Sequence, residues 1–542
     1  MSKHAKLLDC TLRDGAYLID KKFGDTVIRG IIKGLTAAKT DFIEIGFLQD
    51  EGFGEGRTVF NNSIDAEKFM PDDRGTSLFT VLADYSRYTI SNLDDYTGRS
   101  FDAVRECFFK HEREKAMDVC REIKNKGYLL FVQPVDILGY TDAEILDLIS
   151  QINQIGPYCF SIVDTFGSMY ADDLQRVFSI IDHNLRPDCR IGFHSHNNLQ
   201  MSNALSQEFL RISYGKRDVI VDATISGMGR GAGNTPTELV MQYMVDKLGY
   251  TYDINSLLDI IDSQMENVRT RCEWGYSTPF FLAGCYSAHV NNIAYLKQKN
   301  SIKSRDIRYI LNKIGAKKRK RYDYDLLEST YMEYLHSEVD DSNGMKYMAE
   351  SIGGKTVLVL APGRTIASNK EAIQDYVRLH NPVVIAVNFI PDSIDIDYLY
   401  ISNVKRYDNL SMTERFSQVK KILTSNIMTE CTGSVIVSFS RLIKCGFSHV
   451  DNSTMMLLRL LDQLNAASIA IAGMDGYDSR SVSVNYASED LEVANTYDDP
   501  IILNQDIANM LRDYLETRKN AVPVSFVTPS IFSNVVGGTK HD

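Results

Sequence analysis

Two short stretches of the chain carry side chains that could form one metal site. Arg13-Asp14 follows an apolar run near the start of the sequence, and His194 and His196 lie two residues apart much later. Side chains alternate between the two faces of a strand, so histidines at this spacing point the same way. One carboxylate and two imidazoles make a facial ligand set that leaves coordination positions open for a substrate. The alternative is that the histidines are merely two polar residues on one strand face.

These stretches need a scaffold that brings them together, and the first half of the chain alternates strand-like and helix-like segments. The strand-length apolar runs are Lys6–Cys10, Phe42–Phe47, Ser77–Leu82, Ala103–Phe109, Tyr128–Val135, Phe160–Asp164, Arg190–His196 and Asp218–Ile225. Helical patterns between them include Thr26–Ala38, Arg113–Lys126, Thr141–Ile155 and Ala171–Asn184. Eight strands, each followed by a helix within about 250 residues, predict an α/β fold of the (β/α)8 TIM-barrel type.

Polar residues gather near the ends of these predicted strands, where TIM barrels carry their active sites. They are Arg13 and Asp14 after the first strand, Glu44 in the second, Gln133 in the fifth, Asp164 and Thr165 at the sixth, and the two histidines in the seventh. We therefore expect Glu44 and Thr165 to support the metal or the substrate.

A glycine-rich loop, Ser226–Asn234, follows the eighth predicted strand. Its four alternate glycines let the backbone approach a ligand closely or adopt positive φ angles. The spacing does not fit the dinucleotide-binding fingerprint. Asn234 could supply a further oxygen ligand or hold one in place, and the alternative is a merely flexible loop.

Composition narrows the class of protein. A chain of 542 residues predicts more than one domain, and a net charge of -12 argues against a nucleic-acid surface. Nine cysteines without a Cys-x-x-Cys pair indicate buried thiols in a reducing compartment. No apolar stretch is long enough for a membrane span, so we expect a cytoplasmic protein without a membrane partner.

The basic run Lys317–Arg321 is typical of a solvated helix end; the alternative is an anion or inter-subunit contact.

The stretches Thr11–Gly15, His194–Leu199 and Gly227–Asn234 together resemble the DRE-TIM metallolyases. That superfamily includes 4-hydroxy-2-oxovalerate aldolase, hydroxymethylglutaryl-CoA lyase and the isopropylmalate, homocitrate and citramalate synthases. The Asn-Asn-Leu after His196 and the Tyr276-Ser277 stretch are more similar to the aldolases than to the synthases.

The resemblance implies a division of roles among these residues. Asp14, His194 and His196 would bind a divalent cation, Mn²⁺ or Mg²⁺. Arg13 would stabilise the enolate of a 2-oxo acid such as pyruvate, and Tyr276 would line the site. The reaction would make or break a C–C bond with an aldehyde as second reactant, in a protein that we expect to be a homo-oligomer.

Tyr17 departs from the aldolase pattern, because the aldolases carry a catalytic histidine at this position. Tyrosine titrates near pH 10 when unperturbed, so Tyr17 would be a poor base at neutral pH but could donate a proton. Two alternatives therefore stay open. One is a Claisen-type enzyme that condenses an acyl-CoA, and the other is a non-catalytic barrel whose C-terminal domain binds a nucleotide or a partner.

The rest of the chain divides into two further regions. We assign residues 1–290 to the barrel, 291–350 to a helical extension and 351–542 to a smaller, doubly wound Rossmann-like domain. Such domains bind ligands at the carboxyl ends of their strands. Short pieces loosely resemble the bacterial sialyltransferases and pterin diphosphokinase-like proteins, in which they contact a nucleotide; the matching residues are Gly363, Arg364, Asn388 and Asp475. The resemblance implies a nucleotide or nucleotide-sugar ligand, and a degenerate interaction domain is the alternative.

Overall fold

The structure is a computed structural model that describes residues 4–299, 302–336, 339–427, 434–444, 446–447, 452–478, 486–487, 491 and 499–537. The chain forms two compact units, Met1–Ala294 with Ile314–Asp323, and Tyr295–Lys313 with Tyr324–Asp542. The segment 291–350 is thus divided between the two units. The predicted boundaries at residues 290 and 350 stay a prediction.

A closed sheet of parallel strands forms the core of the first unit. Its strands are β1 Ala5–Asp9, β2 Phe42–Leu48, β3 Val59–Phe60, β4 Leu78–Asp84, β5 Ala103–Phe108, β6 Leu129–Pro134, β7 Cys159–Asp164, β8 Arg190–Ser195 and β9 Val219–Ala223. The order runs β2-β4-β5-β6-β7-β8-β9-β1 and closes by pairing β1 with β2, while β3 pairs only along β2. The predicted TIM barrel and all eight predicted strand positions are confirmed.

Helices lie between the barrel strands, among them the four that the sequence predicted, and further helices follow the last strand. They are α1 Asp25–Ala37, α2 Ser63–Glu67, α3 Arg113–Asn125, α4 Asp142–Ile155, α5 Ala171–Asn184, α6 Ser202–Ser213, α7 Thr237–Leu248, α8 Ile254–Ile260, α9 Glu266–Arg269, α10 Thr278–Tyr286, α11 Val290–Lys297 and α12 Ser304–Ile314. Helix α4 begins with a capping box, in which the Thr141 side chain and Glu144 satisfy each other's backbone N–H groups. Its apolar face, including Ile145, Leu148 and Ile152, packs into the barrel core.

The barrel interior has an apolar floor beneath a polar layer. The floor is the buried cluster Leu8, Cys10, Phe42, Ala103, Phe131, Cys159 and Ile220. Because strand side chains alternate in direction, the residues two positions further on also point inward. On several strands these are polar, namely Glu44, Arg105, Gln133, Ser161 and Asp222. The sequence therefore places a layer of charged and polar side chains directly above the apolar floor.

The second unit is built on another parallel sheet. Its strands are β10 Thr356–Leu360, β11 Val383–Val387, β12 Tyr398–Ile401, β13 Lys420–Thr424, β14 Ser434–Val437, β15 Ser468–Ala472 and β16 Val524–Phe526, in the order β14-β13-β12-β11-β10-β15-β16. The order reverses at β10, between β11 and β15. This agrees with the predicted α/β architecture; the Rossmann-like nucleotide-binding assignment stays a prediction.

Helices accompany this second sheet. They are α13 Tyr324–Leu335, α14 Ser342–Ile352, α15 Thr365–Ser368, α16 Lys370–His380, α17 Val404–Ser411, α18 Glu414–Gln418, α19 Phe439–Leu442, α20 Ser453–Gln463, α21 Pro500–Thr517 and α22 Ser533–Gly537. In the described parts of both units, no helix has the length and apolar character needed to cross a membrane.

Candidate metal and active site

Asp14, His194 and His196 converge at the carboxyl end of the barrel. Their ligand atoms all lie within 4.8 Å of one another. Asp14 Oδ2 is 3.1 Å from His194 Nε2 and 3.5 Å from His196 Nε2. The turn after β1, in which Asp14 N donates to the Cys10 carbonyl at 2.8 Å, carries the carboxylate inward. Both histidines come from the end of β8, on the same face, as their spacing predicted.

The chemistry of this cluster fits a divalent cation. Both carboxylate oxygens of Asp14 are buried, and although Arg13 Nη1 and the two imidazoles lie within 3.5 Å, neither oxygen accepts a well-aligned hydrogen bond from the described residues. Buried carboxylate oxygens normally have such partners, so a cation bound to Asp14 would satisfy them. His194 Nδ1 is 3.0 Å from Asp222 Oδ2, and His196 Nδ1 is 3.1 Å from the Asp164 carbonyl oxygen. These outer contacts turn each Nε2 toward Asp14, as in carboxylate–histidine–metal sites.

A ring of alternating charges surrounds the cluster. Glu44 Oε2 accepts from Arg13 Nε at 2.7 Å and from Arg105 Nη1 at 3.0 Å. Arg105 Nη2 also donates to Asp222 Oδ2, the oxygen that contacts His194. Arg13 Nη1 lies 3.4 Å from Asp14 Oδ1, which closes the ring. The side chain of Arg105 is fully buried at its centre.

The ring sets the protonation of its members. Burial alone would raise the pKa of Asp14, but Arg13 and the two histidines outweigh burial and hold that pKa well below its usual value. Burial would lower the pKa of His194, but Asp14 and Asp222 outweigh it and raise that pKa. Burial lowers the pKa of His196. Asp14 is therefore ionised and available as a ligand throughout the physiological range.

Tyr17 lies three residues after Asp14 in the turn that follows β1, and its ring centroid is 5.1 Å from that of Phe47. Burial raises the pKa of its hydroxyl despite the nearby charges of Arg230 and Arg13. The phenol therefore stays protonated at neutral pH. It can donate a proton or a hydrogen bond, and it cannot act as a resting base.

The other predicted barrel residues differ in their distance from the cluster of Asp14, His194 and His196. Glu44 is part of the charged ring. Thr165 Oγ1 accepts from the Asp136 backbone N–H at 2.8 Å, which ties together the loops after β6 and β7. Tyr276 is 63% exposed, and among the described residues no hydrogen bond or ring contact joins it to the cluster. Asn234 pairs through its backbone with His196, and its buried Oδ1 has no hydrogen-bond partner in the described residues.

The glycine loop is packed rather than loose. Asn198 Oδ1 accepts from the Ala232 N–H at 2.9 Å, and Trp274 Nε1 donates to the Ser226 carbonyl at 2.8 Å. A Cβ at Gly233, where φ is +84°, would lie 2.0 Å from the Gly227 carbonyl oxygen. The glycines are therefore required by close backbone approach and positive φ.

Residues 278–294 and 314–323 form a cap over the loops at the carboxyl end of the barrel. Lys320 Nζ lies 2.6 Å from Asp136 Oδ2 and faces the Phe166 ring at 5.6 Å. A Cβ at Gly284 would lie 2.9 Å from Leu199, and one at Gly231 would lie 3.1 Å from Val290. The cap therefore touches the loops after β6, β7, β8 and β9. The basic run contributes Lys320 to it, while Lys317 and Lys318 are exposed.

Sequence reasoning missed several residues that build the site. Arg105 and Asp222 lie inside the predicted strands and complete the charged ring. A charged residue in the middle of an apolar strand, two positions after an inward-facing apolar residue, was the available signal. Asn198 holds the glycine loop, and its place directly after the histidine motif was a second signal.

In the second unit, the four predicted ligand residues follow β10, β11 and β15. Gly363 lies so close to β15 that a Cβ there would be 2.2 Å from the Gly473 carbonyl oxygen. Asp475 accepts from the Thr365 N–H at 2.8 Å and from the Thr365 hydroxyl. Asn388 donates to Ser453 Oγ at 2.7 Å. Arg364 is exposed. Three of the four thus have structural roles, and Arg364 stays available for a ligand.

Comparison with known proteins agrees with this geometry. Residues 4–263 match the HMGL-like family. This part of the chain is an HMGL-like domain. Relatives of the domain include the oxaloacetate decarboxylase of Mycobacterium tuberculosis, 26% identical over 48% of this chain and 76% of that protein. The 4-hydroxy-2-oxovalerate aldolase of Thermomicrobium roseum is 27% identical over 47% of this chain and 69% of that protein.

Among solved structures, the N-terminal domain of a candidate aldolase from Bacteroides vulgatus is 22% identical, with a TM-score of 0.47, over 54% of this chain and 96% of that one. For the HMGL-like domain, the predicted membership of the DRE-TIM metallolyases is confirmed, and with it the broad expectation of an aldolase- or lyase-type enzyme.

Proposed function

We propose that the HMGL-like domain is a divalent-metal-dependent carbon–carbon lyase that acts through the enolate of a 2-oxo acid such as pyruvate, with an aldehyde as the second reactant. The observation that carries this proposal is the convergence of Asp14, His194 and His196, in which the two buried oxygens of Asp14 accept no well-aligned hydrogen bond from the described residues. Mn²⁺ or Mg²⁺ is the proposed cation, because the resemblance to the DRE-TIM metallolyases implies it and the Asp14 carboxylate supplies the hard oxygen ligand that both ions accept.

The side chains around the cluster suit enolate chemistry. A bound cation would supply Lewis acidity at the keto oxygen of the substrate. Arg13 lies beside Asp14, and Glu44 fixes its Nε, so its guanidinium is preorganised where negative charge would develop. Protonated Tyr17 would donate a hydrogen bond or a proton to an oxygen of the reacting molecules.

Deuterium exchange at C3 of pyruvate in D₂O tests this proposal without knowledge of the aldehyde. We expect exchange that requires Mn²⁺ or Mg²⁺ and stops when EDTA removes the metal. Metal-independent exchange, or none, would contradict the proposal and favour a non-catalytic barrel. Adding acetaldehyde or acetyl-CoA to exchanging enzyme then separates an aldolase from a Claisen-type condensing enzyme.

Arg13→Lys is expected to keep the metal but slow C3 exchange by about 10²–10³-fold, a typical cost of losing one donor to a developing oxyanion. Lysine is a point charge and cannot bridge Glu44 and the substrate with a planar fork. Exchange followed by NMR measures the effect. The matched control is Arg87→Lys, which changes a more exposed arginine that pairs with Asp84. An exchange rate in Arg13→Lys equal to that of the control would remove Arg13 from the mechanism.

For the second unit, we propose a nucleotide or nucleotide-sugar ligand at the carboxyl ends of β10 and β15. The supporting observation is that the strand order reverses at β10, and open α/β sheets bind ligands at such switch points. Arg364, exposed in the turn after β10, is the proposed phosphate contact. Calorimetric titration of the full chain with ATP, GTP, CTP and UTP is expected to show binding that Arg364→Gln weakens. If the full chain binds none of the four nucleotides, or if Arg364→Gln binds them as tightly as the wild type, this assignment is wrong.

A further inference from the structure

Arg230, in the glycine loop, is a cation held in a fixed place. Its guanidinium carbon lies 4.0 Å from the centroid of the Tyr17 ring. The next residue, Gly231, has a φ of +68°, and a Cβ there would lie 2.6 Å from Asn198 Oδ1. The hydrogen bond from the Ala232 N–H to Asn198 fixes the loop on the other side. The Arg230 side chain is thus oriented both by its backbone and by an aromatic face.

The charge of Arg230 has no acidic partner among the described residues. Arg13 contacts Glu44 and Asp14, and Arg105 contacts Glu44 and Asp222. Arg230, although half-buried, forms no ion pair in the part of the chain that the structure describes. The lack of a counter-ion is notable in a chain whose net charge is -12. The cation–π contact orients the guanidinium but leaves its N–H donors without a negative partner.

The glycine loop that carries Arg230 lies between the candidate metal cluster and the cap, because its Asn234 pairs with His196 through the backbone and its Gly231 neighbours Val290. Burial is the main reason that the pKa of His289 falls to about 4, and the Arg230 charge adds to that effect. Val290, the next residue after His289, is a neighbour of Gly231. An anion beside Arg230 would therefore lie next to Tyr17 and near the cap residue Val290.

From these observations, and resting on the proposed function, we propose that Arg230 recognises an anionic group, a carboxylate or a phosphate, on the aldehyde that reacts with the 2-oxo acid. In the synthetic direction, C3 of pyruvate loses a proton and bonds to the aldehyde carbon, and the aldehyde oxygen takes up a proton. The product is a 4-hydroxy-2-oxo acid with the anionic group retained. Arg13 is engaged by Glu44, so a separate cation serves the second reactant.

Two matched aldehyde pairs test the proposal on the full chain with Mn²⁺ and pyruvate. Glyceraldehyde 3-phosphate with glyceraldehyde probes a phosphate, and succinic semialdehyde with butyraldehyde probes a carboxylate. In the wild type we expect kcat/KM to favour the anionic member of at least one pair by about 10- to 100-fold, the worth of a hydrogen-bonded ion contact. Arg230→Gln is expected to abolish that preference, and the pair affected identifies the anion.

Arg190→Gln is the control, because Arg190 lies 4.2 Å from the Tyr158 ring, at the amino end of β8. It removes a cation–π contact of similar geometry away from the cluster, and it should keep the wild-type preference. Three results would overturn the proposal: no anionic preference in the wild type, an equal loss for both members of a pair in Arg230→Gln, or a raised KM for pyruvate with the preference intact. Wild-type C3 exchange, measured in parallel, reports on the proposed function separately.

Discussion

His194→Ala and His196→Ala are each expected to weaken Mn²⁺ binding by more than about 100-fold, because even outer-sphere substitutions at metal sites cost about 10–100-fold in affinity. Each variant leaves Asp14 with only one imidazole beside it. Both histidines lie at the end of β8, above the apolar floor, so the barrel should stay folded. Elemental analysis of purified protein and calorimetric titration with Mn²⁺ measure the change, and circular dichroism checks the fold.

His183→Ala is the matched control, since His183 is exposed on α5, where its Nδ1 contacts the Ser179 carbonyl oxygen. It should bind Mn²⁺ as the wild type does. If His194→Ala and His196→Ala contain as much metal as this control, the cation binds elsewhere, and the proposed enolate chemistry loses its site.

Arg105→Met is expected to lower the free energy of unfolding of the barrel by about 3–5 kcal/mol, because it leaves the buried carboxylates of Glu44 and Asp222 without their shared cation. The fully buried side chain of Arg105 makes this cost much larger than that of a surface ion pair. The sole tryptophan of the chain, Trp274, lies in the first unit. Its fluorescence during urea unfolding therefore reports on the barrel.

The control for Arg105→Met is Arg121→Met, which removes an exposed ion pair with Asp118 on α3 and should cost less than about 1 kcal/mol. Adding Glu44→Gln and Asp222→Asn to Arg105→Met should recover part of the lost stability, because neutral partners need no cation. Equal unfolding midpoints for Arg105→Met and Arg121→Met would show that the buried ring is not a source of barrel stability.

The barrel strands could be predicted because each is a short apolar run between turn signals. The boundaries of α5 could be predicted because its apolar face repeats with helical period. In contrast, β13 could not be predicted in this way, because it begins with Lys420-Lys421, whose charges conceal the buried run Ile422–Thr424. Strand β16 has only three residues, too few to show a period.

The candidate metal cluster could be proposed from sequence because its members occur in recognisable local patterns. Arg105 and Asp222 could not be assigned to the site, because their partners lie 61 and 28 residues away, at Glu44 and His194. Only the register of the closed sheet brings them together. The same holds for Arg230, whose contact with Tyr17 depends on how the glycine loop packs.

The separation of the charged ring from Tyr17 and Arg230 has a consequence for how this barrel can change. Glu44 Oε2 and Asp222 Oδ2 each serve two partners, so a substitution at one ring position alters the others, and such changes combine non-additively. The Tyr17 ring, by comparison, contacts Phe47 and Arg230 outside the ring. Positions 17 and 230 can therefore be varied as a pair in a mutant library while the ring stays intact. In evolution, the same arrangement would let the barrel accept a different second reactant through substitutions at these two positions alone.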